Sequence, residues 1–96
     1  MLDEKNKVGR AKQRPYFIWD YDLTEEDVRA ILRGDNEYEK LWVMVRILES
    51  ARWLDIWQYL TLAQVRHYWP KLYHRMRREV RDVWAWAIEV WERGIA

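Results

Sequence analysis

The chain contains no cysteine, which excludes disulfides, thiolate catalysis and cysteine-ligated zinc and fits a reducing cytoplasm. Two prolines and three glycines are too few for the many tight turns of an all-β sandwich. Long apolar runs are lacking too. Those at 41–45 and 84–88 fall far short of the roughly 20 residues of a membrane span, and no stretch resembles a signal peptide. A soluble, cytoplasmic protein is expected. There is no glycine-rich phosphate loop, no G-x-S-x-G and no recognisable frame of paired catalytic carboxylates. His67 and His74 flank Pro70 with few carboxylates nearby, a poor metal set. Asp20 and Asp22 around Tyr21 suit a turn before a helix better than a cation site. Neither catalysis, a metal nor a cofactor is expected.

What is abundant is tryptophan. Eight of them stand in 96 residues: Trp19, Trp42, Trp53, Trp57, Trp69, Trp84, Trp86 and Trp91. Each can bury roughly 150–250 Å², enough together to supply most of a small core or most of an interface. A chain of this length makes one domain with a single modest core.

Charge is segregated under a net of +1. Residues 1–14 carry five basic and two acidic side chains and read as a basic, flexible tail before a domain at 15–96. Residues 20–39 carry eight acidic and two basic side chains, and residues 66–81 six basic and one acidic. Acidic and basic poles of this kind are expected to face partners or a second copy, so a homo-oligomer is one outcome.

Helix signals dominate after residue 23. Thr24 with Asp27 forms a weak capping box, and Gly34 ends a first helix near 25–33 with Val28, Ile31 and Leu32 inward. Asp35 or Asn36 caps a second helix, about 37–51, with Leu41, Met44, Val45, Ile47, Leu48 and Ala51 on its apolar side. A short helix over 53–59 puts Trp53, Ile56, Trp57 and Leu60 on one face. Thr61 and Gln64 start a fourth, which Pro70 limits to about residue 69. The last runs from about 75 to 93 and is closed by Gly94. The expected fold is all-α, a compact bundle of about five helices with an extended aromatic N-terminal segment over 15–22.

In the last helix Met76, Val80, Val83, Trp84, Ala87, Ile88 and Trp91 share one side at helical spacing, and Trp86 falls on the charged side with Glu79, Asp82, Glu89 and Arg93. Trp42 likewise lies between Arg46 and Glu49, off the Leu41–Leu48 stripe. Two readings are open for this pair. Either the N-terminal aromatics, a loop or a stacked Arg46 covers them, or they are anchors for a partner. Trp53, Trp57, Trp69, Trp84 and Trp91 are expected in the core. The candidate partner-binding residues are therefore Tyr16, Phe17, Trp19, Trp42 and Trp86. Residues 66–81 mix basic and aromatic side chains, and Arg66, Lys71, Arg75, Arg77, Arg78 and Arg81 are candidates for nucleic-acid contact or for docking on an acidic protein. A solvated face is the ordinary reading of the same stretch, and no helix-turn-helix signature accompanies it.

The order Tyr16-Phe17-Ile18-Trp19-Asp20, then an acidic helix start, Glu37-Tyr38-Glu39-Lys40-Leu41-Trp42, and residues 51–60 with Ala51-Arg52-Trp53 and Trp57 resembles short prokaryotic proteins that open on an aromatic-Trp-Asp motif. Many of these are encoded beside AbiE-type nucleotidyltransferase toxins. The resemblance covers about residues 15–91. It implies an all-α, non-enzymatic partner protein, an antitoxin that neutralises a nucleotidyltransferase-type toxin by direct contact, and it carries over no catalytic residues. The alternative is a small nucleic-acid-binding protein acting through 66–81.

Overall fold

The computed structural model describes residues 14–95. The fold is all-α: α1 (Glu25–Arg33), α2 (Glu37–Ser50), α3 (Trp53–Tyr59), α4 (Leu62–Leu72) and α5 (Arg78–Ile95), with a 3₁₀ turn at Tyr73–Arg75 before α5. No strand occurs among the described residues. The expected tail over 1–14 lies outside them except for Arg14, which pairs with Asp22 at 3.0 Å.

Local caps set three of the helix starts. Thr24 Oγ1 accepts from the Asp27 N–H while the Asp27 carboxylate accepts from the Thr24 N–H. Thr61 and Gln64 make the same reciprocal pair before α4. Asn36, rather than Asp35, caps α2 by accepting from the Glu39 N–H. Each cap satisfies amide donors that the first helical turn leaves unpaired, a contribution of about 1 kcal/mol.

The central helix is α2, packed on α1 and α4. Leu41, Val43, Met44, Ile47 and Leu48 are all buried, so its apolar arc is wider than the expected stripe and includes Val43. Around it close Phe17, Ile18, Val28, Leu32, Ile56, Leu60, Val65, Leu72, Met76, Trp84 and Ile88. No polar or charged residue is wholly buried among the described residues, although the Nε atoms of Arg46 and Arg81 are covered without a hydrogen-bond partner.

Five expectations are corrected. The N-terminal segment turns instead of running extended: the Ile18 N–H donates to the Pro15 carbonyl at 3.0 Å. An extended chain sends neighbouring side chains to opposite faces, whereas the turn buries both Phe17 and Ile18. α4 does not stop before Pro70 but carries it inside and ends at Leu72. Proline forfeits one helical hydrogen bond there, and the helix continues because Leu72 is fully buried.

α5 begins at Arg78, not near 75, because Met76 takes an extended conformation and inserts its side chain into the core. Gly94 lies within α5 rather than closing it. Lastly, Val83 is 62% exposed and Trp53 is 53% exposed, so neither is core. Among the expected core tryptophans only Trp84 is buried, while Trp57, Trp69 and Trp91 are partly buried against the core.

Candidate protein-interaction surface

Trp53, on the first turn of the short α3, is half exposed because it caps a cluster instead of entering it. Its ring stacks on Trp84 at 5.8 Å and meets Trp57 and Trp91 at 5.4 and 5.7 Å. Aromatic pairs at such spacings add about 0.5–1.5 kcal/mol beyond their buried area. This cluster joins α3 to α5 and is structural.

The turn that buries Phe17 sets Tyr16 and Trp19 on the outside. Phe17 is 1% exposed and packs edge-on to Tyr59, which corrects its candidacy for partner contact: its ring is committed to the core. Tyr16 is half exposed, but its hydroxyl accepts from the Arg52 N–H at 2.6 Å and donates to Asp55 at 2.7 Å. Arg52 is the N-cap of α3 and makes no side-chain cap, so Tyr16 serves that helix end from across the fold. Burial of the hydroxyl raises its pKa against the opposing pull of the Arg52 N–H.

Trp19, Tyr21 and Trp42 are brought together by one cation. The Arg46 guanidinium lies 4.8 Å from the Trp19 ring, 5.5 Å from Trp42 and 5.9 Å from Tyr21, and it pairs with Asp20. Tyr21 meets Trp42 edge-on at 4.8 Å. Trp42 is therefore half-buried under the N-terminal aromatics. Beside this cluster opens a groove of about 430 Å³ lined by Tyr21, Asp22, Leu23, Ile31, Tyr38, Glu39 and Trp42. Leu23, Ile31 and Trp42 are partly buried against the core and give it an apolar floor. Tyr21 and Tyr38 are exposed, and Asp22 and Glu39 bring two carboxylates to its edge.

A second cavity, about 340 Å³, lies among Tyr16, Phe17, Glu25, Asp55 and Tyr59. Its polar groups satisfy one another: the Tyr59 hydroxyl donates to Glu25 at 3.0 Å, as Tyr16 does to Asp55. Burial and that carboxylate push the Tyr59 pKa up to about 12. The Arg29 guanidinium covers the Tyr59 ring at 4.5 Å. The cavity is a structural joint between the N-terminal turn, α1 and α3.

Trp86 stands apart from these residues. It is 63% exposed on α5 and takes part in none of the aromatic or cation–π pairs that link Trp19, Tyr21, Trp42 and Arg46. Of the five candidates, then, Trp19 and Trp42 share a surface, Tyr16 borders another, Phe17 is core, and Trp86 belongs to a separate face. Tyr38 and Leu23 were missed. Tyr38 lies one position into α2 inside an acidic stretch, where no periodicity distinguishes a groove wall from a solvated side chain.

The basic stretch is largely engaged within the chain. Arg66 pairs with Glu92 at 3.2 Å, Lys71 with Glu37 at 2.8 Å and Arg77 with Glu49 at 3.7 Å. Arg75 lies over the Tyr38 ring at 5.4 Å and Arg81 over Tyr73 at 4.7 Å. Arg78 is exposed at the start of α5. The acidic and basic poles thus meet inside the molecule, through Lys71–Glu37 and Arg75–Tyr38. The hydrogen bond from Lys71 lowers the Glu37 pKa. No group of three or more His, Asp or Glu side chains able to hold a metal occurs among the described residues, and no described helix is long and apolar enough to cross a membrane.

Comparison with known proteins brings no match: no family model, curated protein or solved structure is similar to this chain.

Proposed function

We propose that the chain is a cytoplasmic, non-enzymatic, antitoxin-like protein that binds a nucleotidyltransferase-type toxin. The observation that carries this reading is the groove between the N-terminal turn and α2, with its apolar floor of Leu23, Ile31 and Trp42 and its carboxylates Asp22 and Glu39. A cleft that holds nucleotide phosphates is basic. A groove that pairs aromatic anchors with acidic side chains complements such a surface in both charge and apolar contact. The gene-neighbour association of the aromatic-Trp-Asp proteins supplies the identity of the partner. Acidic residues at 20–39 also favour rapid encounter with a basic protein.

Co-expression with the product of the adjacent gene tests the proposal. The expected result is a complex that elutes together and suppressed toxicity. Separate elution with toxicity intact overturns it. The nucleic-acid reading is weaker, because the pairs made by Arg66, Lys71 and Arg77 leave fewer free cations for phosphates.

A further inference from the structure

The outer face of α5 is apolar at its centre and oppositely charged at its two ends. Val83 is 62% and Trp86 63% exposed, and Val90 is half-buried on the same side. At about 100° per residue these three form one strip along the helix, separate from the inward Trp84, Ile88 and Trp91. The strip repeats every seven residues: Glu79, Trp86 and Arg93 in one row, Val83 and Val90 beside it. Seven-residue spacing of this kind is the seam along which two helices pack. Glu79 is exposed and makes no ion pair among the described residues, and Arg93 has only a loose surface pair with Glu89 at 3.6 Å.

We propose that this face binds a second copy of the chain, with the two α5 helices antiparallel and a two-fold axis passing beside Trp86. That register sets Trp86 against its own symmetry mate and Val83 beside Val90 of the other copy. It also brings Glu79 to Arg93 of the other copy at both ends. A parallel arrangement would oppose Glu79 to Glu79 and Arg93 to Arg93, so charge selects the antiparallel one. A two-fold pairing is the commonest closed assembly, and each residue it uses serves both copies. The strip holds three apolar side chains, far less than the ~800 Å² per partner of a stable interface, so the dimer is weak and concentration-dependent. The inference is independent of the groove, which lies on the N-terminal turn, α1 and α2.

Sedimentation velocity of the full chain across roughly 10–500 µM reads the proposal directly. The expected result is a reversible monomer–dimer equilibrium that Trp86→Ala weakens by about tenfold or more. Glu79→Arg and Arg93→Glu, each alone, oppose like charges and weaken it. The double variant Glu79→Arg with Arg93→Glu restores it, and so does mixing the two single variants, since the mixed pair regains both attractions. Circular dichroism confirms that each variant stays folded. A monomer at every concentration overturns the proposal, as does a dimer indifferent to these charge reversals. Toxin binding by the Trp86→Ala variant separates this result from the groove reading: it is retained if the two surfaces are independent.

Discussion

The indole N–H of Trp84 donates to the backbone carbonyl of Leu48 at 3.1 Å, inside the core. Leu48 lies in the last turn of α2, where carbonyls have no helical partner. Trp84 thus completes the end of the central helix from the middle of α5, and Glu49, the next residue, accepts from the Arg77 N–H at 2.6 Å just before α5 starts. Two adjacent residues of α2 therefore fix where α5 sits.

Trp84→Phe keeps a ring in place but removes the donor, leaving a buried carbonyl unpaired. The expected loss is about 1–3 kcal/mol of unfolding free energy, measured by urea denaturation. A variant as stable as the parent would show that this hydrogen bond does not hold the two helices.

Tyr16→Phe removes the hydroxyl that bonds both the Arg52 N–H and Asp55. The start of α3 then has no cap, and a loss of about 1–2 kcal/mol is expected, with a change in the near-ultraviolet signal of Trp53 and Trp57. Unaltered stability and spectrum would assign the α3 start to packing alone.

Alkaline pH acts through Tyr59. Its pKa in the fold is about 12, against an ordinary 10.0. A phenol whose folded pKa is raised stabilises the fold fully below its unfolded value, and as pH rises past that value the unfolded chain releases its proton first. Melting temperature should therefore fall between about pH 10 and 12, and Tyr59→Phe should flatten that part of the fall. A Tyr59→Phe profile as steep as the parent's would contradict the linkage.

Arg46→Lys should not be conservative. A flat guanidinium among Trp19, Tyr21 and Trp42 makes stacked contacts that a compact ammonium does not. About 1–2 kcal/mol is expected to be lost, together with altered tryptophan fluorescence. If lysine preserves both, charge alone holds the N-terminal turn to α2.

Tyr38 is exposed and lines the groove, so Tyr38→Ala should change stability by no more than about 0.5 kcal/mol. Binding to the proposed toxin partner should weaken by about tenfold or more, as read by isothermal calorimetry. Unchanged affinity would move the contact away from the groove.

The helices were legible because their signals are local. Thr24 with Asp27 and Thr61 with Gln64 lie three residues apart, and a capping box needs nothing further away. The tryptophans were less legible. Trp53 and Trp84 both fall on apolar helix faces, yet one is half exposed and the other buried, since burial depends on which distant element covers a face. Trp86 did stand out from its helix pattern, but only the fold decides between the two readings left open for it: it is exposed.

By itself, then, the sequence determined an all-α chain, the capped starts of α1 and α4 and the odd position of Trp86, because caps and periodicity act within a turn or two. Only the tertiary structure decided that Phe17 is core, that Pro70 sits inside a helix, and that Glu49 and Leu48 hold α5. It also decided that the acidic and basic segments meet each other, through Lys71 and Glu37. These relations join residues far apart in the chain, and their energies are fixed by how the helices pack around α2, not by any local pattern.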